Sequence, residues 1–137
     1  MLRYRLVHPE ILATLAAAGH GSQVLVADGH YPVSTGAHPG AARVSLNLAP
    51  DRLTVPEVVE VLLDAVVVEA ATVMQPPGTE PEPEIFAEFS RLLPETPLEV
   101  LRRYEFYEAA RGPDLALVIA TGELRTYANL LLTLGVR

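Results

Sequence analysis

Two short runs constrain this chain more than anything else in it. Gln23-Val24-Leu25-Val26-Ala27 and Leu115-Ala116-Leu117-Val118-Ile119-Ala120 carry no charge, and each is stopped by a turn-forming pair, Asp28-Gly29 and Thr121-Gly122. Unbroken apolar stretches of this length read as strands buried on both faces, which a sheet can offer only when something covers each side. The segments between them have helical spacing. His8-Pro9-Glu10 opens a helix, because proline is tolerated in a first turn and glutamate suits its positive end. Ile11, Leu12, Leu15 and Ala16 form its stripe, and Gly19 terminates it.

The same alternation continues along the chain. Arg43 to Leu48 alternates polar and apolar residues as a half-buried strand would. Thr54-Val55-Pro56-Glu57 has capping-box spacing, with Val58, Val59, Leu62, Leu63 and Val66 as the stripe behind it. A strand is expected over Val67–Met74. Prolines 76, 77, 81 and 83 then exclude regular structure. A helix is expected over Glu84–Leu93, a strand over Glu99–Arg103, a short helix over Tyr104–Arg111, and a final helix over Tyr127–Leu134 closed by Gly135. The expected architecture is α/β, a three-layer α/β/α arrangement with a mixed, partly parallel central sheet, in one domain spanning 1–137.

Composition removes several function classes. With 17 acidic residues against 10 Lys and Arg, the net charge is −7, which argues against nucleic acid or an anionic membrane as partner. There is no cysteine, so disulfides, thiolate metal sites and thiol nucleophiles are excluded. The stretch Val58–Ala71 is interrupted by Glu60, Asp64 and Glu69 and is too short to span a bilayer. The N-terminus lacks the apolar run of a signal peptide, so a soluble, cytoplasmic protein is expected.

Polar residues gather where strands meet loops, which is where open α/β sheets bind ligands. One cluster is Gly19-His20-Gly21 before the first strand with Asp28-Gly29-His30 after it. A second is Arg103, and a third is Thr121-Gly122-Glu123 leading to Tyr127-Ala128-Asn129. No glycine-rich phosphate cradle accompanies them, so the set suits a neutral polyol better than a nucleotide. Each member also has a structural explanation: His20 past a helix end, Asp28-Gly29 in a turn, Arg103 as a solvated charge, Tyr127 and Asn129 at a helix start. His8 and His38 read as a helix start and a loop. Asp28, His30 and His20 raise a metal alternative, without any recognised ligand spacing to support it.

These motifs, in this order and across essentially the whole chain, resemble the ribose pyranase and fucose mutarotase family. The residues that carry the resemblance are Gly19-His20-Gly21, Asp28-Gly29-His30-Tyr31-Pro32, Arg103-Tyr104-Glu105-Phe106-Tyr107-Glu108, Thr121-Gly122-Glu123 and Tyr127-Ala128-Asn129. The resemblance implies a cofactor-free, metal-free enzyme that interconverts anomers, or pyranose and furanose forms, of an unphosphorylated monosaccharide. It also implies a homo-oligomeric ring, commonly a decamer, with sites near subunit contacts. By motif, His20 corresponds to the catalytic histidine and Asp28 to a sugar-binding carboxylate. Arg103, Tyr127, Ala128 and Asn129 correspond to further sugar-binding positions, and His30 is an additional proton-transfer candidate. His30, Tyr31-Pro32 and the Arg103 block are of the fucose type. Gly29 and Ala128 stand where that type has alanine and glycine, and Tyr-Ala-Asn also occurs in the ribose type. Opening a hemiacetal ring requires one proton removed and another delivered, for which imidazole is suited. Asp28 is expected to accept sugar hydroxyls or to hold an imidazole in its useful tautomer. The rival readings are a ribose pyranase, a non-catalytic sugar-binding or transport-accessory protein, and a metal-dependent hydrolase.

Overall fold

A computed structural model describes residues 1–137. Its elements in chain order are α1 (Pro9–Ala17), β1 (Gln23–Ala27), β2 (Ala42–Ser45), α2 (Val55–Leu62), β3 (Val68–Met74), α3 (Ile85–Leu92), β4 (Leu98–Leu101), α4 (Arg103–Ala110), β5 (Leu115–Ala120) and β6 (Leu130–Leu134). All six strands form one sheet in the order β2-β5-β1-β6-β3-β4. β1, β2 and β5 pair in parallel, as do β3 and β4, while β6 runs antiparallel to both β1 and β3.

The period-2 alternation of strands divides the core into two layers. Val24 and Val26 of β1, Leu117 and Ile119 of β5, Leu130, Leu132 and Leu134 of β6, and Ala71 and Val73 of β3 pack with Ile11, Val58, Val59, Leu62, Ile85, Phe86 and Phe89. That face is therefore covered by α1, α2 and α3. Leu25, Ala27, Val118, Leu131 and Met74 point the other way, against Phe106 and Ala110 of α4 and Tyr31, Ala37 and Ala41 of the loop after β1. The three layers follow from strands that have no polar face to give to water.

The helix starts are as the sequence suggests. His8 caps α1, its Nδ1 accepting from the Ile11 N–H at 3.4 Å. Thr54 caps α2, with its N–H and hydroxyl donating to Glu57 Oε2 at 2.7 and 2.8 Å. The 76–83 segment holds no helix or strand.

Three expectations are corrected. The segment expected to be a final helix at 127–134 contains a strand, β6, which fills the slot between β1 and β3. Leu130-Leu131-Leu132 suits a helix by propensity, but pairing on both edges and burial on both faces override it. Arg103 does not end a strand; it is the first residue of α4, since β4 stops at Leu101. β2 is shorter than the expected 43–48, because the chain turns over the end of the sheet through Asp51 and Leu53, both at φ 55°.

Candidate active site

The reversed direction of β6 creates the site. Parallel strands β1, β3, β4 and β5 end at one edge of the sheet, and an antiparallel β6 begins there. Residues 127–129, immediately before β6, thus arrive beside residues 121–124 and beside residues 28–30, the latter about a hundred positions away in sequence. The loops after β1 and β5 are zipped together. The Thr121 hydroxyl donates to the Ala27 carbonyl (2.8 Å), the Gly29 N–H donates to the Glu123 carbonyl (2.8 Å), and His30 Nε2 bonds the Leu124 carbonyl (2.9 Å). That last acceptor requires the proton of a neutral His30 to sit on Nε2, leaving Nδ1 with the lone pair.

Asp28 is the buried centre, only 3% exposed. Its N–H donates to Asn129 Oδ1 at 2.8 Å, and Asn129 Nδ2 donates back to Asp28 Oδ2 at 2.9 Å. The Ala128 N–H reaches the same oxygen at 3.2 Å, and the His30 N–H reaches Oδ1 at 2.9 Å. Burial pushes the Asp28 carboxyl above the ordinary aspartate range, and the amides of His30 and Ala128 pull it part of the way back. Tyr127, just before, is held at φ 59°, a backbone state that costs a non-glycine residue about 1–3 kcal/mol and collects at ligand sites.

Above this centre opens a recess of about 160 Å3, lined by Asp28, His30, Tyr31, Met74, Arg103, Tyr107, Thr126, Tyr127 and Asn129. The Arg103 Nε donates to the Tyr107 hydroxyl at 3.3 Å, and its guanidinium carbon lies 5.6 Å from the Tyr107 ring centre. Tyr107 in turn meets Tyr31 edge-on at 5.4 Å, and the Tyr31 hydroxyl donates to the Gly36 carbonyl at 2.6 Å. Carboxylate, guanidinium, imidazole, phenol and carboxamide face one small volume, which is what recognition of several hydroxyls requires.

The recess thus holds five of the residues singled out in the sequence: Asp28, His30, Arg103, Tyr127 and Asn129. Ala128 lies beneath it, fully buried, and contributes its N–H. His20 is elsewhere. It precedes β1 whereas Asp28 follows it, and five strand residues alone span roughly 16 Å. Its Nε2 bonds Glu69 Oε2 at 2.9 Å. No imidazole is hydrogen-bonded to the Asp28 carboxylate, whose two oxygens accept from three N–H donors. No cluster of three or more His, Asp or Glu side chains could hold a metal ion. His38 accepts the Gly40 N–H in its loop at 3.0 Å.

Met74 and Thr126 were not singled out in the sequence, and Tyr31 and Tyr107 stood there only within longer motifs, with no site role given to them. The first two lie at a strand end and in a loop, with no local pattern to mark them. Tyr107 carried a usable signal: it stands four residues after Arg103, the spacing that stacks side chains on a helix.

The Thr121-Gly122-Glu123 motif supports the site from behind. Glu123 is fully buried, and its carboxylate takes Arg125 Nε and NH2 at 2.9 Å each, while Arg125 NH1 reaches Glu88 at 2.6 Å. Burial raises the Glu123 pKa, but the hydrogen bonds and charge of Arg125 outweigh it, so the carboxyl sits below its ordinary range. A depressed acid stabilises the fold above its unfolded pKa, near 4.3, and loses that contribution as pH falls through the lower folded value. Glu123→Gln is therefore expected to lose about 2–3 kcal/mol at pH 7. Urea titrations should show the gap to the unsubstituted protein closing below about pH 4.

Comparison with known proteins agrees with this geometry. The family model described as the RbsD / FucU transport protein family matches residues 1–137. A fucose mutarotase of Mus musculus is 31% identical, with 96% of this chain and 90% of that protein covered. A D-ribose pyranase of Paracidovorax citrulli is also 31% identical, over 99% of this chain and 98% of its own length. The structure of Bacillus subtilis RbsD complexed with D-ribose superposes with a TM-score of 0.86 at 26% identity, covering 100% of this chain and 99% of that one.

Proposed function

This chain belongs to the RbsD / FucU transport protein family, and from that premise we propose that it is a monosaccharide mutarotase. It interconverts the anomers of L-fucose or a related unphosphorylated sugar by acid and base catalysis of ring opening and closure. The observation that carries this reading is the recess at the edge of the sheet, where Asp28, His30, Arg103, Tyr127 and Asn129 face one volume.

The chemistry asks little of such a site. A base takes the proton of the anomeric hydroxyl, the bond from C1 to the ring oxygen breaks, and the ring oxygen receives a proton. Rotation of the free carbonyl and reversal of these steps give the other anomer, with no net change in atoms, charge or oxidation state. Arg103, Asn129 and Tyr127 orient hydroxyls, and Asp28 fixes the floor through the amides it binds. His20 is the proton shuttle, with His30 a second candidate.

His20 cannot perform this role in the recess of its own chain, across the length of β1. The reading therefore includes a homo-oligomeric ring, a decamer as the resemblance implies, in which His20 of one subunit enters the recess of its neighbour. A cytoplasmic location belongs to the same proposal; no helix is long and apolar enough to cross a membrane.

D-ribose is the second reading of the substrate, favoured by Ala128 in the Tyr-Ala-Asn segment and by the equal identity to a ribose pyranase. Saturation-transfer NMR across a panel of sugars tests both. Faster exchange of fucose than of ribose supports the first reading, and the reverse order supports the second. Binding without faster exchange of any sugar would leave a non-catalytic carrier.

A further inference from the structure

We propose that Glu69 is a positioning residue for His20, accepting its Nε2–H so that Nδ1 is the nitrogen offered to the sugar. This inference rests on the reading of His20 as the proton shuttle. His20 Nε2 and Glu69 Oε2 are 2.9 Å apart, and an ionised carboxylate can only accept. The imidazole proton is thereby held on Nε2, and Nδ1 has no partner within the chain.

Three features of the backbone build this pair. First, β3 pairs with β6 through Val68 with Leu134 and Ala70 with Thr133, so Glu69 is an extra residue at a register shift. Such a bulge re-aims its side chain. Second, a Cβ on Gly135 would stand 3.1 Å from the Glu69 Cβ. The glycine that follows β6 leaves room for the bulged residue. Third, the turn carrying His20 hangs from the same end of β6. Gly21, at φ 82°, donates its N–H to the Leu134 carbonyl at 2.9 Å, while the Gly19 N–H donates to Ser22 Oγ at 3.2 Å. Both partners are thus fixed to one strand end, at Thr133 and Leu134.

Stability does not explain the arrangement. The side chains are 60% and 42% exposed, and exposed pairs of this kind add little to folding. Orientation does explain it. A carboxylate that fixes the tautomer and direction of an imidazole is a recurrent device where histidine must present one chosen nitrogen. Because Glu69 and His20 lie on the same chain and the same end of the sheet, the pair enters a neighbour's recess as a unit.

The test compares E69Q, H20A and the double variant in saturation-transfer exchange at several sugar concentrations, with nitrogen-15 NMR of labelled histidine. E69Q is expected to lower kcat about tenfold with KM unchanged. It should also convert the His20 ring from the Nε2–H tautomer to a mixture. Adding E69Q to H20A should change nothing further. If E69Q keeps the kcat and the tautomer of the unsubstituted protein while H20A is inactive, the positioning role is overturned and the shuttle stands. If H20A is as active as the unsubstituted protein, the shuttle falls and the role of Glu69 falls with it.

Discussion

His20→Ala is expected to slow anomer exchange by about 10²- to 10⁴-fold, the range a positioned acid or base contributes, with folding stability unchanged within about 1 kcal/mol. The two halves of that expectation come from different observations. The side chain is 60% exposed and makes one hydrogen bond, to Glu69, so its removal leaves no cavity and no orphaned buried group. The rate loss follows from the proposal that this imidazole moves the proton. Unchanged exchange in the folded variant would remove His20 from the mechanism. The proposed sharing of each site between neighbouring subunits makes a second measurement possible. H20A mixed in equal amounts with D28N and reassembled should recover about a quarter of the sites, because one site in four then combines an intact His20 with an intact Asp28 from different chains. Failure to recover any activity from properly mixed rings would place both residues' contributions within one chain, against the geometry described above.

Gly122→Ala carries the largest expected loss of stability, about 3 kcal/mol or more, a large share of the roughly 5–15 kcal/mol that holds an ordinary domain folded. A Cβ at this position would lie 2.3 Å from the Arg52 carbonyl oxygen and 2.4 Å from that of Ala49. Both obstacles are backbone, so no side-chain rotation relieves them. The loop they belong to is held against Gly122 itself. The Asp51 N–H donates to the Gly122 carbonyl at 2.7 Å, and Asp51 and Leu53 both sit at positive φ. Displacing that loop would pull on Glu123, one residue on, and through its carbonyl on Gly29. A thermal or urea midpoint equal to that of the unsubstituted protein would show that the 49–53 loop moves freely, contrary to this account.

Gly29 illustrates how such contacts bear on the substrate question. A Cβ there would meet the Glu123 carbonyl at 3.0 Å, so glycine in place of the alanine of the fucose type is matched to the close approach of these two loops. The departure has a packing reason in this chain and does not by itself indicate a different sugar.

Much of the architecture could be read along the chain because its determinants are local. β1 and β5 are apolar runs with turn residues at their ends, and α2 announces itself through Thr54 and Glu57. The 76–83 segment excludes regular structure by its prolines alone. The misreading of 127–134 as a helix has the opposite character. A leucine run has no period that separates a buried helix from a buried strand, and only the unfilled slot between β1 and β3 decides it. The candidate site divides in the same way. Residue types at strand ends mark Asp28, His30 and Tyr127. Met74 and Thr126 join them only through folding, as does the buried Glu123-Arg125-Glu88 set.

What the linear order of residues determined by itself is the layering: runs with no polar face must be covered on both sides, whatever their neighbours. What only the tertiary structure decided is the direction of β6, and with it the placing of residues 127–129 beside Asp28 and of His20 at the far edge. An open slot between two strands accepts either direction; the short link 121–129 rules out a parallel crossover, but only once 130–134 has become a strand rather than a helix, which its leucine run does not decide.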